Sequence, residues 1–92
     1  MSENNQRVFV TKQPIFMIHD QKANKYDQMF VARTKAEAMR SFETECRNPN
    51  SMFNKFPADF TLVCTGEVSD TAEFDIYSKP EILASAAQFQ AN

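Results

Sequence analysis

Ninety-two residues, 42% of them apolar and nine of them Phe, suffice for one small domain with a modest core, because a chain this short buries only about 60–65% of its extended surface. A formal charge of −2 excludes a strongly basic protein that coats a genome by charge alone, though not a local basic face. One His and two Cys are too few for a zinc site, which takes about four ligands, and a single glycine, Gly66, rules out a phosphate loop or a dinucleotide fingerprint.

Along the chain, residues 1–6 are polar and read as disordered, and residues 7–92 read as one α+β domain. The N-terminal stretch lacks the apolar centre of a signal peptide, and no apolar run approaches the roughly 20 residues that span a bilayer. The expectation is a soluble protein in a reducing cytoplasm, with Cys46 and Cys64 as free thiols. From Arg7 to Ile18 the chain reads as extended. Val8-Phe9-Val10 is β-rich, Pro14 interrupts the run, and Ile15-Phe16-Met17-Ile18 is a short, fully apolar strand. Asp20 to Asn24 has the composition of a turn. Tyr26 to Ala32 resumes as a strand with Tyr26, Gln28, Phe30 and Ala32 on one face, so the two runs predict a hairpin.

Thr34-Lys35-Ala36-Glu37 is a capping box. The helix it opens runs to about Arg47, with Ala38, Met39, Phe42 and Cys46 as its apolar stripe and Glu43–Arg47 as a favourable exposed pair. Asn48-Pro49 stops it. Residues 50–59 read as a loop rich in large apolar groups. Phe60 to Val68 is a strand with Phe60, Leu62, Cys64 and Val68 on one face. After a turn at residues 69–73, Phe74 to Tyr77 returns as a strand that Pro80 breaks. Ile82 to Phe89 reads either as a short helix or as an added strand. The predicted fold class is α+β: two β-hairpins forming one antiparallel sheet with a single central helix on one face (ββαββ) and a short C-terminal element. The predicted core is Ile15, Met17, Phe30, Met39, Phe42, Phe60, Leu62 and Ile76.

No catalytic constellation is visible. His19 has no neighbouring nucleophile, and Asp20, Asp27 and Asp59 are spread over turns, so no enzyme, metal or cofactor is expected. The cations are dispersed along the chain. They are either a solvated surface or parts of a groove that follows a sugar–phosphate backbone, with rings on which bases stack. The residues this second reading selects are Lys22, Lys25, Tyr26, Arg33, Arg40, Phe53, Lys55 and Tyr77. Phe53 and Phe56 are open to two readings, as rings closing the core beneath the loop or as rings offered to a ligand.

Two segments carry a family resemblance. One is Asp20-x-Lys22-Ala23-x-x-Tyr26-x-x-x-Phe30, followed on the helix by Ala38-x-Arg40-Ser41-Phe42. The other is Phe53-x-Lys55-x-Pro57-x-Asp59-Phe60-x-Leu62, with Gly66 at the strand's end. Over roughly residues 14–80 the chain resembles the small nonstructural DNA-binding protein of gokushoviruses and related microviruses, bacteriophages with circular single-stranded DNA. The resemblance implies a protein of the bacterial host cytoplasm that handles progeny single strands, accessory to viral replication or to its switch to packaging. It supplies no catalytic residues. A homo-oligomer, most simply a dimer, is expected, because a weakly charged chain gains affinity by repeating a weak site along one strand. The rival expectation is an interaction module that contacts a viral replication or capsid protein, or a host protein, without binding DNA.

Overall fold

The computed structural model describes residues 11–90. Four strands form one antiparallel sheet: β1 Lys12–Asp20, β2 Lys25–Val31, β3 Phe60–Ser69 and β4 Phe74–Ser85, in the order β2-β1-β3-β4. Helix α1, Lys35–Cys46, connects the two hairpins. A single-turn helix α2, Met52–Lys55, and 3-10 turns at Pro57–Asp59 and Ala86–Phe89 complete the chain. The architecture is α+β with ββαββ order. The extended reading of Val8-Phe9-Val10 and the reading of residues 1–6 lie outside the described residues.

The helix forms where its local signals place it. Thr34 is the N-cap, and its side chain accepts from the Glu37 amide at 3.1 Å. The reciprocal bond of the box lands one residue earlier than expected. The Glu37 carboxylate accepts from the Arg33 amide at 3.1 Å and from its guanidinium at 2.7 Å. Ala38, Phe42 and Cys46 are buried along one stripe. They pack on Phe16 and Ile18 of β1 and on Leu62 and Cys64 of β3. Cys46 and Cys64 are both buried and unbridged.

On β1 the even-numbered side chains face the helix and the odd-numbered ones face away. This reverses part of the predicted core. Phe16 and Ile18 are the inward pair, while Met17 is half-buried on the outer face; Ile15, also on the outer face, is nonetheless buried. Four consecutive apolar residues give no alternation from which to choose a face. Two bulges account for the other differences. An extra residue in β2 between the pairs Phe16↔Phe30 and Ile18↔Asp27 is taken up near Gln28, at φ 55°. Phe30 therefore stays inward and Tyr26 turns outward, where it stacks on His19 at 4.5 Å. In β3, Thr65 is extra between Phe16↔Cys64 and Ile15↔Gly66. This sends Val68 to the outer face, away from Phe60, Leu62 and Cys64.

Ile76 is also on the outer face, paired with Gly66 and 60% exposed, not in the core. Pro80 does not end its strand. β4 is an edge strand, where a missing amide is tolerated, and residues 77–80 loop out of register before Glu81 pairs with Cys64. The ambiguous tail divides accordingly into strand up to Ser85 and a 3-10 turn from Ala86. All seven charged residues at registered strand positions, Lys12, Asp20, Lys25, Asp27, Glu67, Asp75 and Glu81, fall on the helix side of the sheet. No registered position on the outer face is charged.

Candidate functional site

The apolar stretch after α1 is not an open loop. Ser51 caps α2, its hydroxyl accepting from the Phe53 amide at 3.1 Å. The Asn54 side chain donates to the Cys46 carbonyl at 2.9 Å, which fastens α2 across the end of α1. This orientation turns Phe53 inward, 5.4 Å from the Phe42 ring and 4.9 Å from the Phe60 ring. Met52 and Phe56, four residues apart on the opposite side of the turn, are left outward.

The β1–β2 turn approaches from the other side. Asp20 accepts from the Ala23 amide at 3.1 Å, Asn24 takes a left-handed φ of 56°, and the Gln21 amide donates to the Asp59 carbonyl at 2.7 Å. Turn and loop thus enclose a cleft of about 350 Å³ lined by Asp20, Lys22, Ala23, Met52, Phe56, Asp59 and Phe60. It joins the Asp20-x-Lys22-Ala23 segment to the Lys55-x-Pro57-x-Asp59-Phe60 segment, far apart in sequence.

Within and beside the cleft, Lys22 and Lys55 form no ion pair among the described residues, and Lys25 stands 3.7 Å from Asp27. Three lysines, 22, 25 and 55, are matched by three aspartates, 20, 27 and 59, so the site is close to neutral. Its distinguishing feature is a half-exposed ring, Phe56 (51%), with Lys22 across the cleft and Lys55 next to it in the chain.

The other residues selected from sequence are placed differently. Phe53 is 7% exposed, which corrects its reading as a stacking ring; both of its faces are committed to the core. Tyr26 is half-exposed but round the sheet's edge from the cleft, on the outer face. Arg33 sits at the start of α1, about 18 Å along the helix from α2, and is held by Glu37. That pairing raises the guanidinium pKa and lowers the carboxyl pKa. Arg40 is exposed midway along α1 and does not line the cleft. Tyr77 is half-buried on the helix side near Cys64, and burial raises its phenol pKa. Lys35 is occupied by Glu81 at 2.7 Å.

Phe56 and Met52 are the exposed apolar residues of the site that the selection from sequence does not include. Their four-residue spacing after Ser51, itself an N-cap residue type, was the available signal. Among the described residues, no group of three His, Cys, Asp or Glu is placed to hold a metal ion, and no helix is long and apolar enough to cross a membrane. Residues 13–89 match the model of a family described as Phage ORF5 protein. No curated protein and no solved structure gives a match.

Proposed function

This chain belongs to the Phage ORF5 protein family and is a phage protein, and we propose that it binds single-stranded DNA through the cleft between the β1–β2 turn and α2. On this reading it is a nonstructural protein of a microvirus-type phage, acting in the host cytoplasm as an accessory to genome replication or to its switch to single-strand synthesis and packaging. The observation that carries the reading is the Phe56 ring, exposed beside two lysines with no ion pair. An unpaired base offers a π-face to such a ring, and its flanking phosphates meet Lys22 and Lys55. In duplex DNA that face is occupied by the neighbouring pair, so single strands are preferred. Nothing in this chemistry calls for a metal or cofactor.

The near-neutral lining fixes how affinity divides. Each neutralised phosphate contributes about 0.7 to the magnitude of the salt slope on single strands, so two lysines give a slope of only about −1.4. The remainder is stacking, worth roughly 1–3 kcal/mol per base. Ultraviolet cross-linking of the protein to a single-stranded oligonucleotide, followed by peptide mapping, is expected to mark residues 22–26 and 52–56. Cross-links confined to the Arg33–Arg40 surface would move the site to α1. The equal numbers of Lys and Asp also suit a second reading, in which an apolar side chain of a protein partner fills the cleft. A folded protein that cross-links to no oligonucleotide would favour it.

A further inference from the structure

The outer face of the sheet is uncharged at every registered position, in a chain of which 24% is charged. It is also apolar. Met29, Val31, Phe74, Ile76 and Ile82 are between 48% and 75% exposed there. Part of the face is a depression of about 250 Å³ with Ile15 and Val68 at its floor. A sheet with one face in water shows alternating polarity, whereas near-continuous apolar runs belong to strands covered on both faces. The central strand has such a run, with Phe16 and Ile18 under the helix and Ile15 and Met17 on the outer side, where Ile15 and Val63 are buried and the side chains around them are exposed.

We infer that a second copy of this chain covers the outer face, the two sheets stacking about a two-fold axis to form a dimer. Five large side chains exposed to this degree present on the order of 600 Å² of apolar surface, at the top of the range for the largest patch on a typical monomer and near the ~800 Å² that each partner contributes to a standard interface. An uncharged face is self-complementary, because a two-fold axis brings no like charges together across it. It offers nothing to neutralise phosphates, so DNA is a poor occupant. Pairing through the sheet edges is hindered, by the bulge near Gln28 on β2 and by Pro80 with its looped-out neighbours on β4. Stacked faces about 10 Å apart satisfy the geometry without them.

The inference stands apart from the DNA reading and is tested without nucleic acid. Sedimentation velocity from nanomolar to high micromolar protein is expected to show a dimer. Phe74→Glu and Ile82→Glu, at exposed positions, are each expected to weaken it by about 30-fold or more, the factor equivalent to losing an interface hot spot. A wild-type monomer throughout, or a dimer unaffected by both substitutions, overturns the proposal. In case the carboxylates prevent folding, Ile82→Cys carrying a polarity-sensitive fluorophore provides an independent reading, since Cys46 and Cys64 are buried. Its emission is expected to shift to the blue as concentration rises. Emission independent of concentration overturns the proposal, whether it is red, from an open face, or blue, from cover by the same chain.

Discussion

Phe53 and Phe56 stand three residues apart and face opposite sides of one helical turn, so truncating them separates stability from binding. Phe53→Ala and Phe42→Ala remove rings that touch each other in the core, and each should cost about 3–5 kcal/mol. Phe56→Ala exposes no cavity and should change stability by no more than about 0.5 kcal/mol. Urea denaturation of the three variants checks this; a Phe56→Ala loss as large as that of Phe53→Ala would place Phe56 in the core. Cys46 gives a pH-dependent test. Burial pushes its thiol up to about 11 from an ordinary 9.0, so the folded state favours the neutral form. Its contribution is fully present below pH 9.0 and is lost as pH rises towards about 11. The stability gap between wild type and Cys46→Ala should therefore be constant up to pH 9.0 and narrow above it. A gap that widens with alkali would contradict the burial of this thiol.

Elements were legible from sequence to the extent that local chemistry decides them. Thr34, the four-residue apolar stripe of α1 and the Asn48-Pro49 stop act within a few residues, and helix and cap stand where they predict. Thr34→Ala should destabilise by about 1 kcal/mol through the lost cap, measurable as a lower denaturation midpoint. The bulges near Gln28 and at Thr65 are set by register against a partner strand, which no local window contains. Each reverses the facing of what lies beyond it, which is why Tyr26, Val68 and Ile76 face the side opposite to the one simple alternation predicts. The site was legible in its chemistry, since Lys22 lines the cleft and Lys55 directly precedes its Phe56 in the chain. It was not legible in its assembly, because the Asp20↔Phe60 pairing and the Gln21–Asp59 hydrogen bond join segments far apart in sequence. Gly66 shows the same dependence on tertiary context. A β-carbon there would run into the Asp75 carbonyl oxygen and lie 2.9 Å from Ile76 Cα. Both are backbone atoms that cannot rotate away. Gly66→Ala should therefore lower the thermal midpoint clearly, and an unchanged midpoint would show that the β3–β4 approach is looser than described.

At the scale of the whole molecule, the sheet separates two kinds of surface. The helix side holds the core and every registered strand charge, the outer side is largely apolar with no charge at a registered position, and the cleft lies at the end where β1 turns into β2. Two copies stacked by their outer faces would present two clefts to one strand, which is how a chain of charge −2 could hold single-stranded DNA without a basic groove. The central claim is that the cleft binds single strands chiefly by stacking. Fluorescence anisotropy with labelled single- and double-stranded oligonucleotides over a salt series tests it most directly. Tighter binding to single strands, with a shallow salt slope, is expected. Lys55→Glu should weaken binding and flatten the slope, whereas Phe56→Ala should weaken it about 5- to 150-fold, equivalent to one lost stacked base, without changing the slope. A folded wild-type protein that binds no oligonucleotide at low salt, or a Phe56→Ala variant that binds as well as wild type, would contradict it.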